Sequence, residues 1–278
     1  METQKKYDKH SPIGVFDSGL GGLTAVKEII EQLPHEDIVF FGDTARVPYG
    51  NRSRETIIEY SRQDMRFLLA HDVKIVCIAC NTVDSMARLT LEQEFDIPII
   101  GAVSPAARKA LQLTKNKKIG LIGTFATVSS GAYRKLINKL APDCTVYSQA
   151  CPLLVPLIES GRFHKGDAVV ETVLRDYLLP LQAQGIYTII LGCTHYPLLY
   201  AIVKDILPGV EIVCSGSAST EYLREKLAAL DLLNDSETEG KRRFYVSDAP
   251  EEFATHGSVF LGMSVREHCE KADPDIYQ

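Results

Sequence analysis

Long apolar runs, an excess of basic residues and an export signal are all missing from this chain of 278 residues. A membrane-spanning helix needs about 18 consecutive apolar residues, and the best runs here, 75–80 and 188–191, reach about a third of that. The 30 basic residues are outnumbered by 36 acidic ones and form no stripe. Membrane spans, nucleic acid and anionic membrane surfaces are therefore disfavoured.

Disulfide-framework spacing is also missing, because the cysteines number seven and are scattered along the chain. Residues 1–12 are polar, with no apolar stretch behind them, so we expect a flexible N-terminal lead and not a secretory signal. Reduced thiols and a cytoplasmic location follow from these two features. With 45% apolar and 24% charged residues, the composition is that of a globular protein, and the length fits two domains.

From residue 13 onward, short apolar runs alternate with stretches of helical periodicity. The β-branched run 73–79 is typical of a strand covered on both faces of a parallel sheet. We therefore expect α/β units with right-handed crossovers. The predicted strands are 13–16, 38–41, 73–79, 97–100, 119–124, 188–191, 244–246 and 258–261, and the predicted helices are 23–33, 54–70, 85–94, 105–113 and 133–140.

Two landmarks recur in the same order along the chain. Segment 119–124 resembles 13–18 at an offset of 106 residues, and aligning Cys193 with Cys80 gives an offset of 113. We therefore expect two similar open-sheet α/β domains, related by a pseudo-twofold axis and facing each other across a central cleft. The alternative is that any two α/β domains share such units. The predicted domains are 13–104 plus 214–278, and 105–213.

Polar residues follow three of the predicted strands, where ligands bind in open α/β sheets. Asp17 and Ser18 end the first strand, and Cys80 and Cys193 begin polar triplets after two others. If the two halves face each other, these strand ends converge on one cleft that contains two cysteines.

The cysteines also have simpler interpretations. Cys77 and Cys80 spell C-x-x-C, but residues three apart on a strand point to opposite faces, and no second pair or H-x₃₋₅-H follows. Zinc and redox sites are therefore disfavoured. Cys80 and Cys193 precede small polar residues at strand-to-helix turns, where backbone N–H groups can stabilise a thiolate. The other cysteines are interpreted as small buried hydrophobes: Cys77, Cys144, Cys151, Cys214 and Cys269.

The glycine-rich turn from Asp17 to Gly22 matches neither the dinucleotide nor the P-loop motif. It can serve close packing, or backbone approach to a small carboxylate, and Asp17 suits the ammonium of a zwitterion better than a phosphate. His195 is either a structural histidine or a support for Cys193. Glu159 alone reads as a solvated acid.

Together these segments resemble the glutamate racemases of the aspartate/glutamate racemase superfamily, over residues 13 to about 215 and more weakly to about 265. The resemblance implies a 1,1-proton transfer that interconverts L- and D-glutamate without cofactor or metal. The matching stretches are IGVFDSGLGGLT (13–24), FGDTARVPYG (41–50), ACNT (79–82), GAVSP (101–105), IGLIGT (119–124), CPLLVP (151–156) and LGCTHYPL (191–198).

The same resemblance implies that Cys80 and Cys193 are the acid/base pair. Inversion needs an acid and a base on opposite faces of Cα, and two thiols supply both. The thiol matching Cys80 deprotonates the D isomer and that matching Cys193 the L isomer. An ordinary cysteine is about 3% thiolate at pH 7, so each thiol needs assistance, which the resemblance assigns to Asp17 for Cys80 and to His195 and Glu159 for Cys193. The implied substrate contacts are Asp17, Ser18, Tyr49, Gly50, Asn81, Thr82, Thr194 and His195, with Thr124 and Thr127 as further candidates.

The resemblance further implies D-glutamate supply for peptidoglycan and a homodimer. One departure is Cys214, where the family commonly has an aspartate. Alternatives are a racemase of another amino acid and a non-catalytic anion-binding or partner-binding protein, for example one that binds gyrase. A thiol hydrolase using Cys193 and His195 ranks last, because no oxyanion-hole motif is evident.

Overall fold

The computed structural model describes residues 7–277, which form two parallel β-sheets with helices packed on them. The strands are β1 (Ile13–Asp17), β2 (Ile38–Gly42), β3 (Ile75–Ile78), β4 (Ile99–Gly101), β5 (Lys118–Gly123), β6 (Thr145–Ala150), β7 (Thr188–Gly192), β8 (Glu211–Cys214), β9 (Arg242–Val246) and β10 (Cys269–Lys271). The α-helices are α1 (Leu23–Gln32), α2 (Arg54–Leu69), α3 (Asn81–Met86), α4 (Arg88–Glu94), α5 (Val103–Leu113), α6 (Phe125–Ser130), α7 (Ala132–Leu140), α8 (Leu154–Glu159), α9 (Ala168–Ala183), α10 (Tyr200–Ile206), α11 (Ser215–Ala229) and α12 (Pro250–Leu261).

The two sheets repeat one strand order. The first runs β10-β9-β2-β1-β3-β4 and the second β6-β5-β7-β8, and all the pairings are parallel. The central strands β1, β3 and β7 are buried along their whole length, as the apolar runs predicted. Since β2-β1-β3-β4 corresponds to β6-β5-β7-β8, the prediction of two similar α/β halves is confirmed.

The end of the chain adds two strands to the first sheet. β9 pairs with β2, and β10 pairs with β9 at the sheet edge. Both ends of the chain therefore contribute to one sheet, although the domain boundaries at 104/105 and 213/214 stay predictions.

Two secondary-structure predictions were wrong. Residues 258–261 are not a strand but the end of α12, whose buried residues Phe253, Gly257 and Phe260 recur at helical spacing after Pro250 at its N-terminus. The helix predicted over 85–94 is two helices, and the first begins at once after Cys80. The N-terminus of α3 therefore lies at Cys80, one of the two candidate catalytic thiols.

The predicted flexible lead is only partly covered, because residues 1–6 lie outside the described residues. The backbone oxygen of Lys9 accepts a hydrogen bond from the buried Lys74 ammonium at 2.5 Å, and the Tyr7 hydroxyl donates to the backbone oxygen of Asp96. Two residues of this part of the lead therefore contact the first half, and the flexibility of residues 1–12 stays a prediction.

The cysteine predictions hold for the three thiols inside the cores, since Cys77, Cys144 and Cys151 are buried. Cys214 and Cys269 are only half-buried, because each lies on an outer strand whose far side has no strand partner. Within residues 7–277, no helix is long and apolar enough to cross a membrane.

Candidate active site

A cleft of about 260 Å³ lies between the carboxyl ends of the two sheets. Both cysteines singled out from the sequence line it, each at an equivalent position after β3 or β7. Among the described residues of the lining there is no lysine or arginine. The predicted site residues found in the lining are Ser18, Tyr49, Gly50, Cys80, Asn81, Thr82, Thr124, Glu159, Cys193, Thr194 and His195.

Cys80 is the N-cap residue of α3 and is 5% exposed. Its thiol donates to the Ser18 hydroxyl at a sulfur–oxygen distance of 3.6 Å. Burial raises the pKa of this thiol to about 12, and the negative charge of Asp17 adds to the increase, while the Val83 and Ser18 backbone N–H groups, which donate to the sulfur, oppose it. The resting thiol is therefore protonated at neutral pH.

Cys193 faces a histidine–carboxylate pair. Its Sγ lies 3.9 Å from His195 Nδ1, and His195 Nε2 lies 3.0 Å from Glu159 Oε1. When Glu159 is ionised, Nε2 carries the proton it donates, so Nδ1 of the neutral ring faces the thiol as an acceptor. Burial raises the pKa of Cys193 well above its usual range, and the charges of Cys80, Asp17 and Glu159 add to this. His195 is therefore placed to receive the thiol proton.

Asp17 lies behind the cleft wall. The carboxylate is fully buried and is not in the lining; its oxygens accept from the Gly19 N–H at 3.0 Å and the Thr194 hydroxyl at 3.3 Å. Burial raises the pKa of Asp17, and a positive charge on His195, when that ring is protonated, opposes the increase. Asp17 thus connects the first half to the Cys193 turn, and its predicted contact with the substrate ammonium stays a prediction.

Three threonine hydroxyls meet across the cleft. Thr82 of the first half lies 2.9 Å from Thr124 and 3.4 Å from Thr127 of the second, measured between the hydroxyl oxygens. Thr124 also caps α6 by accepting from the Thr127 N–H at 3.2 Å. Thr127 itself is buried beneath the lining, so of the three hydroxyls those of Thr82 and Thr124 are exposed to the cleft.

Two predicted contact residues have side chains that already bind protein groups. The Tyr49 hydroxyl donates to Asp43 and lies 3.4 Å from Asp64. Burial and these two carboxylates raise the Tyr49 pKa well above its usual range. The Asn81 amide binds Tyr133 and Ser215. Tyr49 therefore holds the wall at Gly50 in place, and its hydroxyl is turned away from the cleft.

The glycine-rich turn serves close packing between the two halves. A Cβ on Gly21 would lie 2.4 Å from both His195 Nδ1 and Thr194 Oγ1, so only glycine lets the turn approach them. Residues 19–22 are not in the cleft lining, and of the two interpretations of this turn the geometry favours packing.

One wall of the cleft was missed by sequence reasoning. Cys151, Pro152, Val155 and Pro156, between β6 and the start of α8, line the cleft beside Phe125. The two prolines after a strand end were the available signal. Within residues 7–277, no group of three His, Cys, Asp or Glu residues is placed to hold a metal ion.

The fold and the site together define the class: two equivalent parallel α/β halves, each presenting a buried thiol to one shared cleft. The family profile described as Asp/Glu/Hydantoin racemase matches residues 13–223. The chain belongs to this family, and it is a racemase, an isomerase.

Individual relatives agree with this assignment. The chain is 45% identical to a glutamate racemase of Syntrophus aciditrophicus over 255 residues, which cover 91% of this chain and 94% of that one. It is similar to the glutamate racemase isoform RacE1 from Bacillus anthracis, with a TM-score of 0.91 and 38% identity over 95% of this chain and 98% of that one. It is also similar to the glutamate racemase from Francisella tularensis, solved in complex with D-glutamate, with a TM-score of 0.89 and 38% identity over 97% of this chain and 100% of that one. The resemblance stated from the sequence is confirmed.

Proposed function

We propose that this racemase interconverts L- and D-glutamate without a cofactor, with Cys80 and Cys193 as the two acid/bases. The observation that carries the proposal is the pair of buried thiols at equivalent strand ends of one cleft. The substrate is taken from the relatives named above, two of which cover nearly the whole chain.

The reaction begins when Cys193 transfers its proton to His195 Nδ1, and Glu159 stabilises the resulting imidazolium. The Cys193 thiolate removes the α-proton of L-glutamate, and the electron pair of the broken C–H bond stays on Cα. The Cys80 thiol then donates its proton to the opposite face of Cα, which gives D-glutamate and a Cys80 thiolate. In the reverse direction the Cys80 thiolate removes the α-proton of D-glutamate and the Cys193 thiol protonates the opposite face of Cα. The Cys193 thiolate that remains then takes back the proton held by His195.

The raised thiol pKa values make this chemistry feasible. A thiol whose pKa is about 12 is a much stronger base, once ionised, than an ordinary cysteine. Such a thiol is ionised only when substrate is bound. The described lining of the cleft has no lysine or arginine, so the substrate ammonium supplies the positive charge that compensates the thiolate.

Hydroxyl and backbone N–H groups are the donors available for the two substrate carboxylates. The first turns of α3 and α6 begin at the cleft, beside the hydroxyls of Thr82 and Thr124. Such neutral donors stabilise negative charge that develops on the α-carboxylate when Cα loses its proton. We assign them to the substrate carboxylates for that reason.

The test uses purified protein with L-glutamate in D₂O, followed by circular dichroism and by proton NMR at Cα. We expect optical activity to decay while deuterium enters at Cα, and Cys80→Ala and Cys193→Ala each to abolish the decay. Cys269→Ala, which removes a half-buried thiol on β10, is the matched control and should remain active. Substantial turnover by either cleft variant would refute the two-thiol assignment.

A protein that leaves glutamate unchanged would next be tested with aspartate and other amino acids, and then for a binding role. D-Glutamate supply for peptidoglycan, a homodimer and a cytoplasmic location stay predictions that follow from the sequence and its resemblance.

A further inference from the structure

Asn81, the residue after Cys80, reaches out of the first half and is held by two residues of other elements. Its Oδ1 accepts a hydrogen bond from the Tyr133 hydroxyl at 2.6 Å, and its Nδ2 donates to Ser215 Oγ at 2.9 Å. Asn81, Tyr133 and Ser215 are each no more than 2% exposed. Water therefore does not compete for these bonds, and protein groups hold both ends of the amide.

Tyr133 also packs at the other thiol. A Cβ built on Gly192, the residue before Cys193, would lie 3.6 Å from the Tyr133 ring at Cε2. The ring therefore lies against the backbone that leads into Cys193, while its hydroxyl binds the side chain that follows Cys80.

We propose that Tyr133 is a positioning residue that sets the separation of the two thiols, with Ser215 fixing the Asn81 amide from the other side. This inference rests on the proposed two-thiol reaction. Proton transfer at two faces of one carbon needs both sulfurs at near-contact distance from Cα at once, so a spacer between their two backbone segments controls the rate. Ser215 is the first residue of α11 and supplies a polar contact there.

Tyr133→Phe tests the role, because it keeps the packed ring and removes only the hydroxyl. We expect kcat to fall about 10- to 100-fold, as misplacement of a reacting group by up to about 1 Å does, with KM little changed. The deuterium isotope effect with α-deuterated glutamate should rise, since proton transfer becomes more fully rate-limiting. Loss of folded protein alone would leave the isotope effect unchanged.

Ser215→Ala is the second variant, which keeps the test decisive if Tyr133→Phe folds poorly. It should lower kcat and raise the isotope effect in the same direction. Ser219→Ala is the matched control: it removes a buried hydroxyl from the same helix, bonded at 2.7 Å to the Ser215 backbone oxygen, without touching Asn81. It should keep the wild-type isotope effect.

Crystal structures of the wild type and Tyr133→Phe give a readout that does not depend on turnover, namely the distance between Cys80 Sγ and Cys193 Sγ. We expect a longer distance in the variant. An unchanged distance, or wild-type kcat and isotope effect in both variants, would overturn the positioning role. A wild-type protein without glutamate turnover would instead refute the proposed function, and the sulfur–sulfur distance would still decide the inference.

Discussion

Glu159→Gln isolates the contribution of one charge to catalysis. The side chain keeps its size, and Gln Oε1 can still accept the His195 Nε2 proton across the 3.0 Å contact. What is lost is the negative charge that, in the proposed mechanism, stabilises the imidazolium formed when Cys193 gives up its proton. The geometry at Cys193 should therefore survive while the electrostatic support does not.

The size of the effect follows from the geometry. Two unit charges 3.0 Å apart attract by about 1.4 kcal/mol in water and by several kcal/mol at an effective dielectric constant of about 20. The Glu159 side chain is 38% exposed and that of His195 only 6%, so solvent screening places the interaction toward the lower value. We expect a loss of about 1.4 to 2.7 kcal/mol, which is about a 10- to 100-fold fall in kcat/KM.

The assay is racemisation followed by circular dichroism from each pure enantiomer. The fall in kcat/KM must be equal in both directions, because the enantiomers have the same free energy. Glu252→Gln is the control, since it removes the same charge from a groove that Glu159 also lines. A Glu159→Gln enzyme within twofold of wild type would refute the imidazolium step, and an equal loss in Glu252→Gln would show a general field effect instead.

Three further outcomes are expected. Burial raises the Asp84 pKa to about 6 despite its ion pair with Arg88, so the native state binds more protons than the unfolded chain between pH 3.8 and 6. In denaturant titrations, the free energy of unfolding of the wild type should therefore fall relative to that of Asp84→Asn by about 3 kcal/mol as the pH rises through that window. A difference that does not change with pH would contradict this prediction. Alkylation of Cys80 in the substrate-free protein, measured by mass spectrometry of the labelled peptide, should accelerate about tenfold per pH unit from pH 7 to 10, because only the thiolate reacts. A rate that reaches a plateau near pH 8 would contradict the raised pKa. Gly21→Ala should lower kcat at least about tenfold, because its Cβ would displace the His195 ring; wild-type kcat would show that the ring can shift without cost.

Much of the architecture was readable from the sequence because it depends on short-range patterns. The repeat that aligns Cys193 with Cys80 predicted equivalent strand ends, and the shared strand order explains why both thiols reach one cleft. The error at residues 258–261 has a local cause: four residues are too short to separate a strand from the apolar face of a helix.

The fine geometry of the site could not be predicted, because it depends on contacts between distant residues. A strand-end position does not determine which way Asp17 points, and its partner Thr194 is 177 residues away. The Tyr49 hydroxyl faces carboxylates, and that contact leaves no local pattern. Tyr133 reads as an ordinary buried helix residue by its periodicity, and only the fold places its hydroxyl on Asn81.

The two halves share a scaffold but differ in how they assist their thiols. Cys80 has the Ser18 hydroxyl and the Asp17 charge nearby, and Cys193 has the His195–Glu159 pair. In the proposed reaction the two thiols are the bases on opposite faces of Cα, and that reaction does not require them to be activated alike. Because burial raises the pKa of both thiols, each half needs its own way of ionising its thiol. Among residues 7–277, only Cys193 has a histidine ring nitrogen facing its sulfur. In the proposed mechanism a neighbouring side chain therefore removes the Cys193 proton directly. Cys80 instead becomes ionised by delivering its proton to Cα, and the positive charge of the substrate compensates the thiolate.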